Sequence, residues 1–105
     1  MYASIRRYPI LSGDARAALD EIRQPTQENF VPTLQQIPGF HGYFFVLGEN
    51  DAVCTVTLFD TAEGAAESTR RAADFVRNTP FPVTLGQPEV LEGEVIVHRE
   101  AGVPA

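Results

Sequence analysis

FHGYFFVLGENDAVCTVTLF, residues 40 to 59, is the stretch on which the reading of this chain turns. Its two arms, Phe40 to Leu47 and Ala52 to Phe59, are rich in aromatic and β-branched residues, and the polar stretch Gly48-Glu49-Asn50-Asp51 between them suits a tight turn. A β-hairpin is expected. With Gly48 opposite Asp51, His41, Tyr43, Phe45, Leu47, Ala52, Cys54, Val56 and Leu58 share one face, and Phe40, Phe44, Val46, Val53, Thr55, Thr57 and Phe59 share the other. Both faces are apolar. An antiparallel sheet with one face in water alternates apolar and polar residues, so both faces of this one need a cover.

Upstream, Tyr2 to Tyr8 alternates as a strand, with Ala3, Ile5 and Arg7 on one side and Tyr2, Ser4, Arg6 and Tyr8 on the other. Ser12 or Asp14 then caps a helix whose apolar positions Ala15, Leu19, Ile22, Thr26, Phe30, Leu34 and Ile37 recur at helical steps. Pro25 and Pro32 interrupt its backbone hydrogen bonds, so a kink or a break near Gln24 is expected, and Ile37-Pro38-Gly39 ends it. Downstream, Asp60 and Glu63 read as a capping box opening a second helix to about Asn78, with a stripe of small residues. Thr79 to Glu92 reads as an irregular connection anchored by apolar side chains, and Gly93 to Arg99 as the last strand. The order βαββαβ predicts an α+β, ferredoxin-like domain spanning residues 1–105, a four-stranded antiparallel sheet with both helices on one face. The helices leave one apolar face bare, and an isologous second copy covers it most economically, so a homodimer is predicted.

Composition narrows the chemistry. Among 105 residues there are 8 basic and 14 acidic side chains, a net charge of −6, which opposes a nucleic-acid partner. All the basic residues are Arg, so no Schiff-base lysine or phosphate-loop lysine exists. The single Cys54 excludes an internal disulfide and a Cys-rich zinc site, and its apolar neighbours predict a buried, unreactive thiol in a reducing cytoplasm. Arg6-Arg7 is followed by polar residues where an export signal would turn apolar, and no apolar run approaches the ~20 residues of a membrane span.

Phe30-Val31-Pro32-x-Leu34 leading into Ile37-Pro38-Gly39-Phe40-x-Gly42-Tyr43, then Leu58-Phe59-Asp60-Thr61 before Ala62-Glu63-Gly64-Ala65, and finally Gly93-Glu94-Val95, resemble the dimeric α+β barrel superfamily. Within it the chain is similar to the small antibiotic-biosynthesis-monooxygenase-like proteins. The resemblance covers most of the chain and implies pairing of two sheets into a barrel, with a ligand pocket between sheet and helices. It implies a range of activities, from cofactor-free oxygenation to heme degradation. The heme degraders have an Asn on the first strand, a Trp ending the third and a His on the second helix. Here those positions fall near Arg6, on Phe59 and near Arg70, so heme degradation is disfavoured.

Placed by this resemblance, the candidate pocket consists of Arg6, Tyr8, Phe44, Thr57 and Phe59, aromatic walls meeting a few polar groups. Arg6 or Arg7 must point into an apolar face, and the expected partner there is Glu94 or Glu100, with an anionic ligand as the alternative. A ligand for such a pocket is a small, flat, weakly acidic aromatic or polyketide-like molecule. Three readings stay open: a cofactor-independent oxygenase, a non-catalytic binder, and a purely structural dimer. No catalytic base is identified, and no cofactor or metal is expected. His41 and His98 fall on opposite edge strands, roughly 14 Å apart, too far for shared coordination. Ser4 and His98 could be neighbours on adjacent strands, but no nucleophile elbow accompanies them. Arg70, Arg71 and Arg77 with Glu67 and Asp74 read as a solvated, ion-paired helix face.

Overall fold

A computed structural model describes residues 1–102. Strand β1 (Tyr2–Ser12) is followed by a helical segment made of α1 (Leu19–Pro25), a widened turn (Thr26–Phe30) and α2 (Val31–Gln35). Then come β2 (Phe40–Leu47), β3 (Ala52–Phe59), α3 (Ala62–Asn78), β4 (Thr84–Leu85) and β5 (Glu89–Glu94). The sheet is antiparallel in the order β2-β3-β1, and both β4 and β5 pair with the free edge of β1. The architecture is α+β and ferredoxin-like, with β1 and β3 central.

Sequence order makes α3 lie close to the sheet. Gly64 sits so near Phe59 that a Cβ there would stand 2.8 Å from the ring, and the buried small residues Ala65, Ser68 and Ala72 extend the same face. Phe30, Leu34, Ile37, Phe59 and Ala72 form one apolar cluster, and Ala15, Ile22 and Val83 a second. The outer face of α3 carries the expected ion pairs, Glu67 with Arg70 and Arg71, and Asp74 with Arg77.

Four local expectations need correction. The hairpin register is one residue off at the turn: Leu47 lies opposite Val53, where Ala52 was expected. Its loop is three residues long, Glu49 to Asp51, closed by the Gly48 amide donating to the Ala52 carbonyl, and Asp51 takes the left-handed conformation at φ 57°. Asp tolerates that conformation better than most residues, which permits the odd-length loop. An irregularity between Phe40 and Gly42 absorbs the slip, so Phe40 still opposes Phe59. Consequently Tyr43, Phe45 and Leu47 face the helices, while Phe44 and Val46 face away with Val56 and Cys54. Cys54 is half-buried on that outer face, not buried.

The helical segment does not break at Gln24. It continues through Pro25 and widens afterwards, the Val31 amide donating to the Thr26 carbonyl five residues back. A wider turn relieves the crowding that Pro32 imposes on the turn before it. The last strand begins earlier than expected: β5 runs from Glu89, opposite Arg7, to Glu94, opposite Tyr2, and β4 continues the same edge beyond Gly86-Gln87-Pro88. The amide of Val95 still reaches the Met1 carbonyl at 2.8 Å, but β1 offers no partner past that point, and Ile96 and Val97 stand exposed. Finally, the cap of α3 is Thr61, whose Oγ1 accepts from the Gly64 amide at 3.0 Å, whereas Asp60 is engaged by His41.

Candidate functional site

Alternation along β1 sends Ser4, Arg6 and Tyr8 toward the helices, where they are buried, and Arg7 outward, where it meets Glu89 at 3.8 Å. Arg6 is 1% exposed. Its Nη1 donates to Ser4 Oγ at 3.0 Å and approaches Ser68 Oγ at 3.4 Å, while Nε and Nη2 make no well-formed hydrogen bond, although the Tyr8 phenol stands close enough to interact with the guanidinium. The expected ion pair with Glu94 or Glu100 is absent: Glu94 lies opposite Tyr2 at the sheet's end, and Glu100 sits beside His98 at 3.7 Å. Directly across from Arg6 on β3, the buried Thr55 hydroxyl is also unpartnered.

Hydroxyls link Arg6 to the surface. Ser4 Oγ and Thr69 Oγ1 are 2.6 Å apart, and Thr69 in turn donates to the exposed Glu92 carboxylate. The Ser68 hydroxyl donates to the Ala65 carbonyl at 2.6 Å, which turns its lone pairs toward the guanidinium. Ser4 faces Glu92 across the strands, so the expected neighbour His98 lies elsewhere. The countercharge for Arg6 is therefore remote and relayed.

Arg6 is one of the residues lining a small, partly enclosed cavity of about 30 Å³, together with Tyr8, Thr55 and an aromatic wall of Phe30, Tyr43, Phe45, Phe75 and Phe81. That is room for about two waters. Phe30 stacks on Phe75 at 4.9 Å and meets Tyr43 edge-on at 5.5 Å, and Phe75 meets Phe81 edge-on at 5.7 Å. Outside it, a cleft of about 440 Å³ opens between α1 and β2, and Ile22, Thr26, Tyr43 and Phe45 wall both spaces. The widened helical turn supplies Thr26, whose hydroxyl donates to the Ile22 carbonyl at 2.8 Å.

Desolvation dominates the electrostatics here. Burial lowers the Arg6 pKa from 12.5, opposed by the nearby Tyr8 and Tyr43, by a hydrogen bond to the Tyr8 phenol and, more weakly, by Glu92. Burial pushes the Tyr8 and Tyr43 phenols above their ordinary 10.0, against the pull of the Arg6 charge. Both phenols thus stay protonated at neutral pH beside a cation that has no adjacent carboxylate.

Of the residues expected to form the pocket, Arg6 and Tyr8 line the cavity. Thr57 and Phe59 share their sheet face but are fully buried behind it, Thr57 within 3.3 Å of Ser68 Oγ and Phe59 edge-on to Phe40 at 5.6 Å. Phe44 is a correction: it stands on the opposite face, 57% exposed, because of the register slip. The slip puts Tyr43 and Phe45 in its place. Asp51 in a short polar loop was the one signal in the sequence for that exchange. Among the described residues, no group of three or more His, Cys, Asp or Glu is placed to hold a metal ion.

No protein-family model matches the sequence, and no curated protein resembles it significantly. Solved structures do resemble the fold. A dimeric ferredoxin-like protein from an uncultured marine organism aligns with TM-score 0.64 at 14% identity over 95% of this chain and 99% of that one. A monooxygenase from Streptomyces coelicolor, in complex with nanaomycin D, aligns with TM-score 0.63 at 14% identity over 99% and 92%. A heme-degrader from Mycobacterium tuberculosis, with two hemes in its active site, aligns with TM-score 0.62 at 15% identity over 95% and 100%. What this chain shares with them is the ferredoxin-like α+β fold. At these identities the likeness concerns the fold alone.

The residues do not fit a heme. No His, Cys or Met lines the cavity or the cleft, and a tyrosinate ligand is opposed by the raised pKa of Tyr8 and Tyr43. Phe59 is buried in the core, and Arg70 lies on the exposed face of α3 beside Glu67.

Proposed function

We propose that this chain, as one domain, forms a homodimer that binds a small, flat, weakly acidic aromatic molecule between its sheet and its first helical segment. The observation that carries the reading is Arg6, 1% exposed, in the lining of an aromatic-walled cavity with two nitrogens that make no well-formed hydrogen bond. A buried cation without a counterion is costly, and a bound anion is the group that would relieve it. The ligand's charged edge reaches the inner cavity, and its rings occupy the cleft lined by Tyr43, Phe45 and Val31.

A second copy is the proposed cover for the bare sheet face. There Phe44, Val46 and Leu91 are 57, 51 and 65% exposed, an apolar surface unusual for a face left in water. The dimeric ferredoxin-like neighbour supports this arrangement. A cytoplasmic location is part of the proposal; no helix among the described residues is long and apolar enough to cross a membrane.

Cofactor-independent oxygenation of the bound aromatic by molecular oxygen is the second reading, favoured by the likeness to the Streptomyces monooxygenase. The test is calorimetric titration with hydroxynaphthoquinones, followed by oxygen-electrode measurement on whichever binds. Saturable binding lost in Arg6→Met supports the ligand site, and oxygen uptake on top of it selects the oxygenase. No binding by any of them, with a monomer in sedimentation, would leave the whole proposal without support.

A further inference from the structure

The guanidinium of Arg6 makes its well-formed hydrogen bonds at one corner, with the Tyr8 phenol standing close beside it. Ser4 and Ser68 occupy Nη1, and the Nε and Nη2 nitrogens outside those bonds lie along the same side of the planar group. That side is a two-pronged donor with parallel N–H bonds. Thr55, directly across the strands from Arg6, adds an unpartnered polar atom to the same cavity. The neighbouring phenols are held protonated, so they offer hydrogen bonds without competing as anions.

Resting on the ligand-site reading above, we infer that the natural ligand presents two coplanar oxygens to Nε and Nη2 of Arg6, as an aromatic carboxylate or an enolised 1,3-dicarbonyl does, and that a simple one-oxygen phenolate is a poor substitute. One phenolate oxygen satisfies one prong and leaves the other N–H to the neutral hydroxyls of the wall, a weaker exchange than a second anionic oxygen. A two-oxygen anion satisfies both. The inner cavity, about 30 Å³, admits such a head group only in place of the waters it has room for, which keeps the ring in the outer cleft.

The test compares 4-cyanobenzoate with 4-cyanophenolate by isothermal calorimetry, at a pH where both are singly charged. Charge and ring are matched, and only the number of acceptor oxygens on the anionic group differs. The expected result is binding of the benzoate about tenfold or more tighter, the step typical of a bidentate over a single charged contact. In Arg6→Lys, which keeps the charge but removes the fork, the two affinities should fall within about twofold of each other. Should that variant fail to fold, the Arg6 Nε–H and Nη2–H resonances of the wild-type protein serve instead: the benzoate should shift both and slow their exchange, and the phenolate should do so for one at most. Equal affinities, or tighter phenolate, would overturn the two-oxygen inference while leaving the ligand site in place. Failure of both probes and of the hydroxynaphthoquinones would remove the ligand site itself.

Discussion

Arg6 is a residue that the fold tolerates at a cost. Its charge is desolvated, its nearest carboxylate is relayed through Ser4 and Thr69, and two of its nitrogens make no well-formed hydrogen bond. Arg6→Met should therefore stabilise the protein, by about 1–3 kcal/mol, because replacing buried charge by a well-packed apolar side chain is often favourable. The same change should abolish anion binding, so urea denaturation and calorimetry are expected to move in opposite directions. The tyrosines give a second prediction at this scale. Tyr8 and Tyr43 titrate above 10.0 in the folded chain because burial disfavours their phenolates. Between their unfolded and folded values the native state holds more protons than the unfolded state, so stability should fall as pH rises above 10.0. Thermal melts of Tyr43→Phe should lose part of that alkaline slope. A slope unchanged in the variant would mean that Tyr43 does not ionise on unfolding.

Among the elements, α3 depends on a single capping residue. Thr61 accepts the Gly64 amide in the first turn, and Gly64 in turn lets the helix approach Phe59. Thr61→Ala should cost about 1 kcal/mol in urea unfolding, while Thr61→Asp should cost little, since Asp caps as well and suits the positive end of the helix dipole. The β2–β3 hairpin shows how one loop residue redirects an element. Asp51 in the left-handed region makes a three-residue loop, and the odd count turns Tyr43 and Phe45 inward and Phe44 outward along half the strand. The first helical segment is similar in kind: its apolar stripe was legible, but two prolines read as a kink or a break are accommodated by one widened turn, and that turn carries Thr26 and Phe30 to the cavity.

At the scale of the molecule, the bare sheet face makes the strongest prediction. Val56 lies near its centre, paired with Phe44 on one side and Ile5 on the other. If a second copy covers this face, Val56→Asp should convert a sedimenting dimer into monomer or into unfolded protein, because the interface would bury an unpaired charge. A wild-type monomer at micromolar concentration would refute the pairing.

Much of this was written in the sequence. Alternation and helical spacing, which depend only on local geometry, were enough for the element order, whereas β1 and β3 as central strands followed from the ferredoxin-like topology and Arg6 on the helix side from the resemblance to the barrel proteins. Two apolar faces on one sheet were enough to call for a partner. Tertiary structure decided what local geometry leaves degenerate. A one-residue slip costs nothing in β-propensity yet reverses every side chain, so only the closed loop at Asp51 and the packing of Tyr43 on Phe30 chose between Phe44 and its neighbours. Likewise, β5 begins at Glu89 and not at Gly93 because its length is set by β1 beside it, and a strand's register on its neighbour is a property of two segments distant in the chain. Whether Arg6 found an acid rested on that same register, which set Glu92 opposite Ser4, with Ser4 and Thr69 standing between the cation and its charge.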